Sequence, residues 1–219
     1  MKIYDTNSII EEYSLANKYS EEYKKAKWGS QDGMINRFKL VINLVNFEKI
    51  SNWLDIGCGT GCLFNLALEK HPKIKALGID ICPEMIQYAN KKKLKPSIKF
   101  KLEDFSTSSY KYNFDLITSI GVLQKTNLKP KAFFQTISTS LKPEGKFFIT
   151  TKNLYWDKFT SGEFVPENLH NWFIPEEIIK LVKNSGLNIL EIKGFLPKEN
   201  LIVDINQSHT FYIYGEKTL

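Results

Sequence analysis

Two rhythms of apolar and polar positions run along the chain. Short apolar runs, each stopped by glycine or an acid, alternate with longer stretches in which apolar residues recur every three or four positions. Trp53-Leu54-Asp55-Ile56 is the first clear run, and it ends at Gly57-Cys58-Gly59-Thr60-Gly61. Leu63, Phe64, Leu66, Ala67 and Leu68 then share one face of a helix that stops near His71-Pro72. Further strands are predicted over Ile74 to Ile79, Ile98 to Leu102, Phe114 to Ser119 and Lys146 to Thr150. Between them, Pro83 opens a helix with Met85, Ile86 and Ala89 inward, and another helix runs from about Pro130 to Leu141. Proline suits both starts, because the first helical turn needs no N–H from it. Pro143-Glu144-Gly145 predicts a turn before the fifth strand. Strand and helix in strict alternation predict an α/β fold, a parallel sheet with helices on both faces.

The two ends break this rhythm. Pro175 opens a helix carrying Ile178, Ile179, Leu181 and Val182, which ends at Ser185-Gly186, and Leu187 to Ile192 follows as a strand. The last strand, His209 to Gly215, is reached without a crossover helix, so it must run antiparallel to its predecessor. At the other end, helical stretches at about Ser8 to Lys24 and Met34 to Phe47 flank a Trp28-Gly29-Ser30 break. They read as an N-terminal helical cap over the active edge of the sheet. The expected organisation is a cap over residues 1–50 and one compact unit over 51–219, with an insert at about 152–174. A length of 219 residues fits one domain of ~150 residues plus a cap.

Composition narrows the class. Hydrophobic residues at 42% and charged residues at 25% exclude a disordered, collagen-like or coiled-coil chain. Lys plus Arg number 30 against 24 acids, for a net charge of +6, which raises a nucleic-acid partner. Arg37 is the single arginine among those cations, and lysine lacks the bidentate fork that reads phosphates and bases, so nucleic acid is disfavoured. No apolar run approaches the ~18 residues of a membrane span, and the first residues lack the apolar core of a signal peptide. Cys58, Cys62 and Cys82 form no Cys-x-x-Cys. Free thiols in a reducing cytoplasm, with no metal site, are therefore expected, in a monomer or homodimer.

The candidate chemistry lies at the strand ends. Gly57, Gly59 and Gly61 follow a buried strand and open a helix, so the backbone there turns sharply and lets a ligand approach closely. Cys62 stands where a dinucleotide fingerprint requires glycine or alanine, and no Gly-Lys-Ser/Thr closes the loop as a P-loop would. Asp55, two residues ahead, repels a pyrophosphate and suits a ligand with a positive amino group. Asp80 closes the second strand, where a carboxylate accepts from both hydroxyls of a ribose, and Glu103-Asp104 closes the third. Asp104 is placed to meet an adenine amino group, with Ile81, Met85 and Phe105 as apolar walls.

Trp53 to Gly61 resembles the first motif of the class I S-adenosylmethionine-dependent methyltransferases. Gly78-Ile79-Asp80 is similar to their ribose-binding acid, Glu103-Asp104-Phe105 to their adenine segment, and Phe114 to Ile117 with Ser119-Ile120-Gly121-Val122-Leu123 to their fourth-strand motif. Leu141 to Lys146 looks like their turn before the fifth strand. The resemblance covers residues ~50 to 151 and implies a Rossmann-like, seven-stranded, mostly parallel sheet with an antiparallel last strand. It also implies S-adenosyl-L-methionine as donor, S-adenosyl-L-homocysteine as product, and in-line methyl transfer to an O, N or C nucleophile of a small molecule. The glycine loop, with Cys58, admits the donor, Asp55 favours its amino group, and the backbone at Ser119 and Ile120 lines its methionine portion. Arg37, in the cap segment, is the candidate partner for its carboxylate. Tyr19, Trp28, Gln124 and Trp172 are the candidate acceptor contacts, and His170 the candidate base. Gln124 stands where many relatives of this type carry histidine, and glutamine orients a group without acting as a base at neutral pH. A nucleic-acid methyltransferase and a non-catalytic S-adenosylmethionine-binding protein are the alternatives.

Overall fold

The computed structural model describes residues 6–125, 128–164 and 171–218. The cap comprises α1 (Thr6–Ser14), α2 (Glu22–Lys25) and α3 (Gln31–Leu44). Then follow β1 (Asn52–Ile56), α4 (Cys62–Leu68), β2 (Lys75–Asp80), α5 (Pro83–Lys91), β3 (Ile98–Leu102), β4 (Phe114–Ile120), α6 (Pro130–Ser140) and β5 (Leu141–Asn153). The remainder is α7 (Asp157–Thr160), β6 (Trp172–Phe173), α8 (Pro175–Asn184), β7 (Leu187–Leu196), β8 (Leu201–Val203) and β9 (Thr210–Lys217).

The strands form one sheet in the order β3-β2-β1-β4-β5-β9-β7-β8, with β6 pairing with β5 beside that path. Strands β1 to β5 are mutually parallel, and β9 lies antiparallel between β5 and β7. The seven expected strands are present, and two short ones extend them. β8 is a hairpin return within the stretch expected as loop, and β6 is a two-residue addition in the insert.

Strict alternation along the strands builds two cores. Trp53, Leu116, Phe148 and Tyr212 face α3 and α4, packing with Met34, Phe38, Val41 and Phe64. Their immediate neighbours Leu54, Ile117, Phe147 and Phe211 face α6 and α8, packing with Phe133, Ile137, Ile178 and Val182. The same two-residue period sends Asp55, Thr118, Ile120, Thr150 and Lys152 to the α3 side. Pointing a tryptophan into the core therefore also points the polar strand ends at the cap.

Two local expectations change. The first cap helix, expected as one piece to Lys24, breaks at Tyr19, where the backbone is extended. The break lets Ala16 pack against Cys82 and Met85 while α2 docks on the glycine loop. Pro143-Glu144-Gly145 is not a free turn but an irregularity inside a continuous β5. The β4–β5 register jumps from Phe114↔Leu141 to Leu116↔Lys146, and Glu144 takes a positive φ of 60°.

Candidate active site

The ends of β1 to β5 and the cap enclose a cavity of about 820 Å³. Its floor is the glycine loop. Gly57 and Gly59 sit at φ of 69° and 53°, a region that L side chains rarely adopt. A Cβ on Gly57 would lie 2.3 Å from Val122 Cγ2, so that glycine is also required by packing, while Gly59 has nothing within 4 Å and faces open space. Gly61 turns away from the cavity and packs on Phe100.

Two carboxylates control this floor. Asp80 accepts from the backbone N–H of Gly59 and of Cys82, both at 2.9 Å, tying the loop to β2. Burial raises its pKa against those hydrogen bonds. Asp55 accepts from Thr118 Oγ1 at 2.5 Å, and Thr118 in turn accepts from Trp53 Nε1 at 2.9 Å. Asp55 is pushed up to about 7, first by desolvation and further by Asp80, with the Thr118 bond opposing. Each acid keeps lone pairs unused by the protein.

The adenine-side candidates divide. Ile81, Met85, Phe105, Glu103 and Asp104 all border the cavity. Glu103, however, accepts from Tyr110 at 3.0 Å and pairs with Lys101, and Asp104 caps the next turn by accepting from Ser106 N at 2.8 Å. Their side chains are engaged in shaping the loop. Cys58 and Ile120 are in the wall, whereas Ser119 is fully buried and its Oγ has no partner among the described residues. Ser119 and Gly61 thus support the site from behind without bordering the cavity.

The cap supplies the opposite wall. Arg37 reaches it from α3, donating to Gly33 O at 2.7 Å with its guanidinium 4.7 Å from the Trp28 ring centre. Burial lowers Arg37 to about 10. Trp28 itself rests on Gly121, where a Cβ would lie 2.8 Å from the indole. Gln124 is buried in the wall with Oε1 unpartnered among the described residues. Tyr19 is an outlier, exposed at 42% and away from the wall, because the helix break turns it outward. Trp172 also misses the wall: it stacks on Phe159 at 5.5 Å, pinning the insert. His170 lies outside the described residues.

Three further residues border the cavity that the sequence does not single out: Lys152, past the end expected for the fifth strand, Trp156, inside the insert, and His209, at the start of the last strand. Yet an antiparallel β9 begins at the edge where the parallel strands end, and that topology was a usable signal for His209. In the structure His209 borders the cavity 5.5 Å from the Trp156 ring. Burial first, then Lys152, Arg37 and Lys198, hold it down at about 3, so the imidazole is neutral.

Residues 48–194 match the model of a methyltransferase domain family, about two thirds of the chain. The chain belongs to this methyltransferase family. It is 28% identical to malonyl-(acyl-carrier protein) O-methyltransferase 2 of Ilyobacter polytropus, over 90% of this chain and 75% of that one. It is 27% identical to the ubiquinone biosynthesis O-methyltransferase of Xanthomonas euvesicatoria pv. vesicatoria, over 78% and 79%. In structure it resembles the N-methyltransferase NodS of Bradyrhizobium japonicum, solved with S-adenosyl-L-homocysteine, at a TM-score of 0.67 and 16% identity over 95% and 98%. The protein is an S-adenosylmethionine-dependent methyltransferase with a class I, Rossmann-like sheet. No helix among the described residues is long and apolar enough to cross a membrane.

The wall fits that donor. Open space stands over Gly59, two acids offer free lone pairs, and the Arg37 guanidinium has no carboxylate within ion-pair distance among the described residues.

Proposed function

We propose that this methyltransferase acts on the oxygen of a small molecule enclosed with the donor in the 820 Å³ cavity. The carrying observation is the cavity's extent: it runs from the glycine loop under the cap to Gln124, Lys152, Trp156 and His209. That volume is in the upper range of small-molecule sites, roughly 300–1,000 Å³, and is roofed by the cap, which suits two small ligands better than a polymer. Oxygen is preferred as the nucleophile because both relatives are O-methyltransferases.

The donor supplies a methyl group on a positive sulfur that departs as a neutral thioether. What remains for the chain is placement and exclusion of water. Asp80 accepts from the ribose hydroxyls, Asp55 from the ammonium, and Arg37 pairs with the carboxylate. Ile81, Met85 and Phe105 wall the adenine, and the backbone of Asp104 meets its edge. Trp28, seated on Gly121, closes the roof. Neutral His209 accepts a hydrogen bond from the acceptor hydroxyl, aligns its lone pair for in-line attack, and takes the proton that the oxygen sheds as the new O–CH3 bond forms and the thioether leaves. The described cap, residues 6–50, acts as a lid.

Calorimetry with S-adenosyl-L-homocysteine, followed by a metabolite screen for methyl uptake, tests this reading. Binding should weaken at least tenfold in Asp80→Ala. Unchanged product binding in that variant, or uptake into RNA rather than metabolites, overturns it.

A further inference from the structure

Charge around the cavity is sorted by end. Asp55, Asp80, Glu103 and Asp104 stand at the ends of β1, β2 and β3. At the far end the wall carries Arg37, Lys125, Lys152 and Lys198, with Glu199 as the acid among them. Lys152 projects from β5 on the cap side, opposite Thr210 of β9, its Nζ 5.5 Å from the Trp172 ring centre. No carboxylate among the described residues lies within ion-pair distance of Lys152. Lys125 donates a hydrogen bond to Tyr13 Oη at 2.8 Å and lies 5.1 Å from the centre of the same ring. Burial, then Arg37 and Lys125, lower Lys152 to about 8, which registers how poorly its charge is compensated.

A cation withdrawn from water without a partner costs free energy that a ligand anion offsets. The donor brings one carboxylate, which Arg37 takes, together with an ammonium and a positive sulfur. With the donor in place, therefore, the far end holds Lys152 facing the Trp172 ring but no carboxylate among the described residues, with an added positive charge beside it. We propose that the methyl acceptor carries an anionic oxygen group, a carboxylate or a phosphate, which Lys152 seats at the β5 end of the cavity. This rests on the donor lying along the β1 to β3 ends, as above. It assigns specificity to a residue that acts through charge on the acceptor and leaves the donor alone.

The test uses the full chain loaded with S-adenosyl-L-homocysteine. Acetate, benzoate and inorganic phosphate are compared in thermal shift and calorimetry with acetamide, benzamide and chloride at matched ionic strength. At least one anion should bind better than its neutral match or chloride, and the carboxylate and phosphate arms show which group is preferred. Lys152→Met should weaken that anion about tenfold or more, Lys152→Arg should retain the preference, and S-adenosyl-L-homocysteine itself should bind both variants within about threefold of the parent. If no anion exceeds its match, or the excess survives in Lys152→Met, the proposal is overturned while the donor site stands. Loss of S-adenosyl-L-homocysteine binding in the parent would instead overturn the reading beneath it.

Discussion

Asp55 is the group at which function and stability conflict most sharply. It is 4% exposed, its carboxylate accepts from Thr118 alone among the described residues, and Asp80 adds like charge. Its pKa rises from 3.8 to about 7. A carboxylate raised in the folded state binds more protons there than in the unfolded chain, so its contribution falls as pH rises from about 4 to about 7 and stays low above. Three units at ~1.4 kcal/mol each bound the cost of the charge at about 4 kcal/mol. Asp55→Asn removes that charge and keeps an acceptor for Thr118, but its amide N–H groups need partners, so about 2 kcal/mol should be recovered at pH 8. For a chain of this size that is a rise in Tm of roughly 4–8 °C. At pH 4, where Asp55 is protonated in the folded protein, the gain should shrink below about 1 kcal/mol. Thermal melts of both proteins at pH 4, 6 and 8 measure this, with calorimetry alongside, in which S-adenosylmethionine should bind the variant about tenfold or more weakly. A stability difference independent of pH, or a variant less stable at pH 8, would refute the assignment of a buried, destabilising charge.

Other outcomes follow from the same geometry. Gly57→Ala places a Cβ 2.3 Å from Val122 Cγ2 at φ 69°, and should cost about 2–4 kcal/mol in denaturant unfolding together with donor binding. Glu22 on α2 accepts from Thr60, Cys62 and Lys92, at 2.5, 3.2 and 2.9 Å, and so holds the lid on the glycine loop. Against the desolvation that pushes it up, the Thr60 and Lys92 bonds hold Glu22 at about 2, so the latch should persist above pH 4.5 and fail between pH 4.5 and 2. Glu22→Gln should speed hydrogen exchange in α1 and α2 and weaken donor binding about threefold, and unchanged exchange would remove the latch role. Arg37→Lys loses the planar fork and should weaken S-adenosylhomocysteine about tenfold, read by calorimetry. His209→Phe should lower kcat about tenfold or more with donor binding intact, and normal turnover would reduce His209 to a wall.

The β-α alternation, the glycine loop and the acids at three strand ends were legible in the chain because each is a local pattern. A period of two or 3.6 residues, a glycine where φ is positive and a carboxylate after an apolar run need no distant partner to be recognised. Trp53, Leu116 and Phe148 are likewise legible as strand residues, and the period of the first strand puts Asp55 on the same face as Trp53, whereas Lys152 lies past the expected end of the fifth strand and gains a face only because β5 runs on to Asn153. What each end faces was not legible. Tyr19 and Trp172 look as suitable for a pocket as Trp28 does, yet a helix break exposes one and Phe159 captures the other. His209 and Lys152 are unremarkable in sequence, lying 57 residues apart, but β9 enters antiparallel beside β5 and brings both to the cavity. The sequence alone therefore determined the sheet and the donor-binding edge, whose signals are short-range. Only the tertiary structure decided the acceptor end, because it is made of side chains whose meaning depends on burial and on which charges are brought near them.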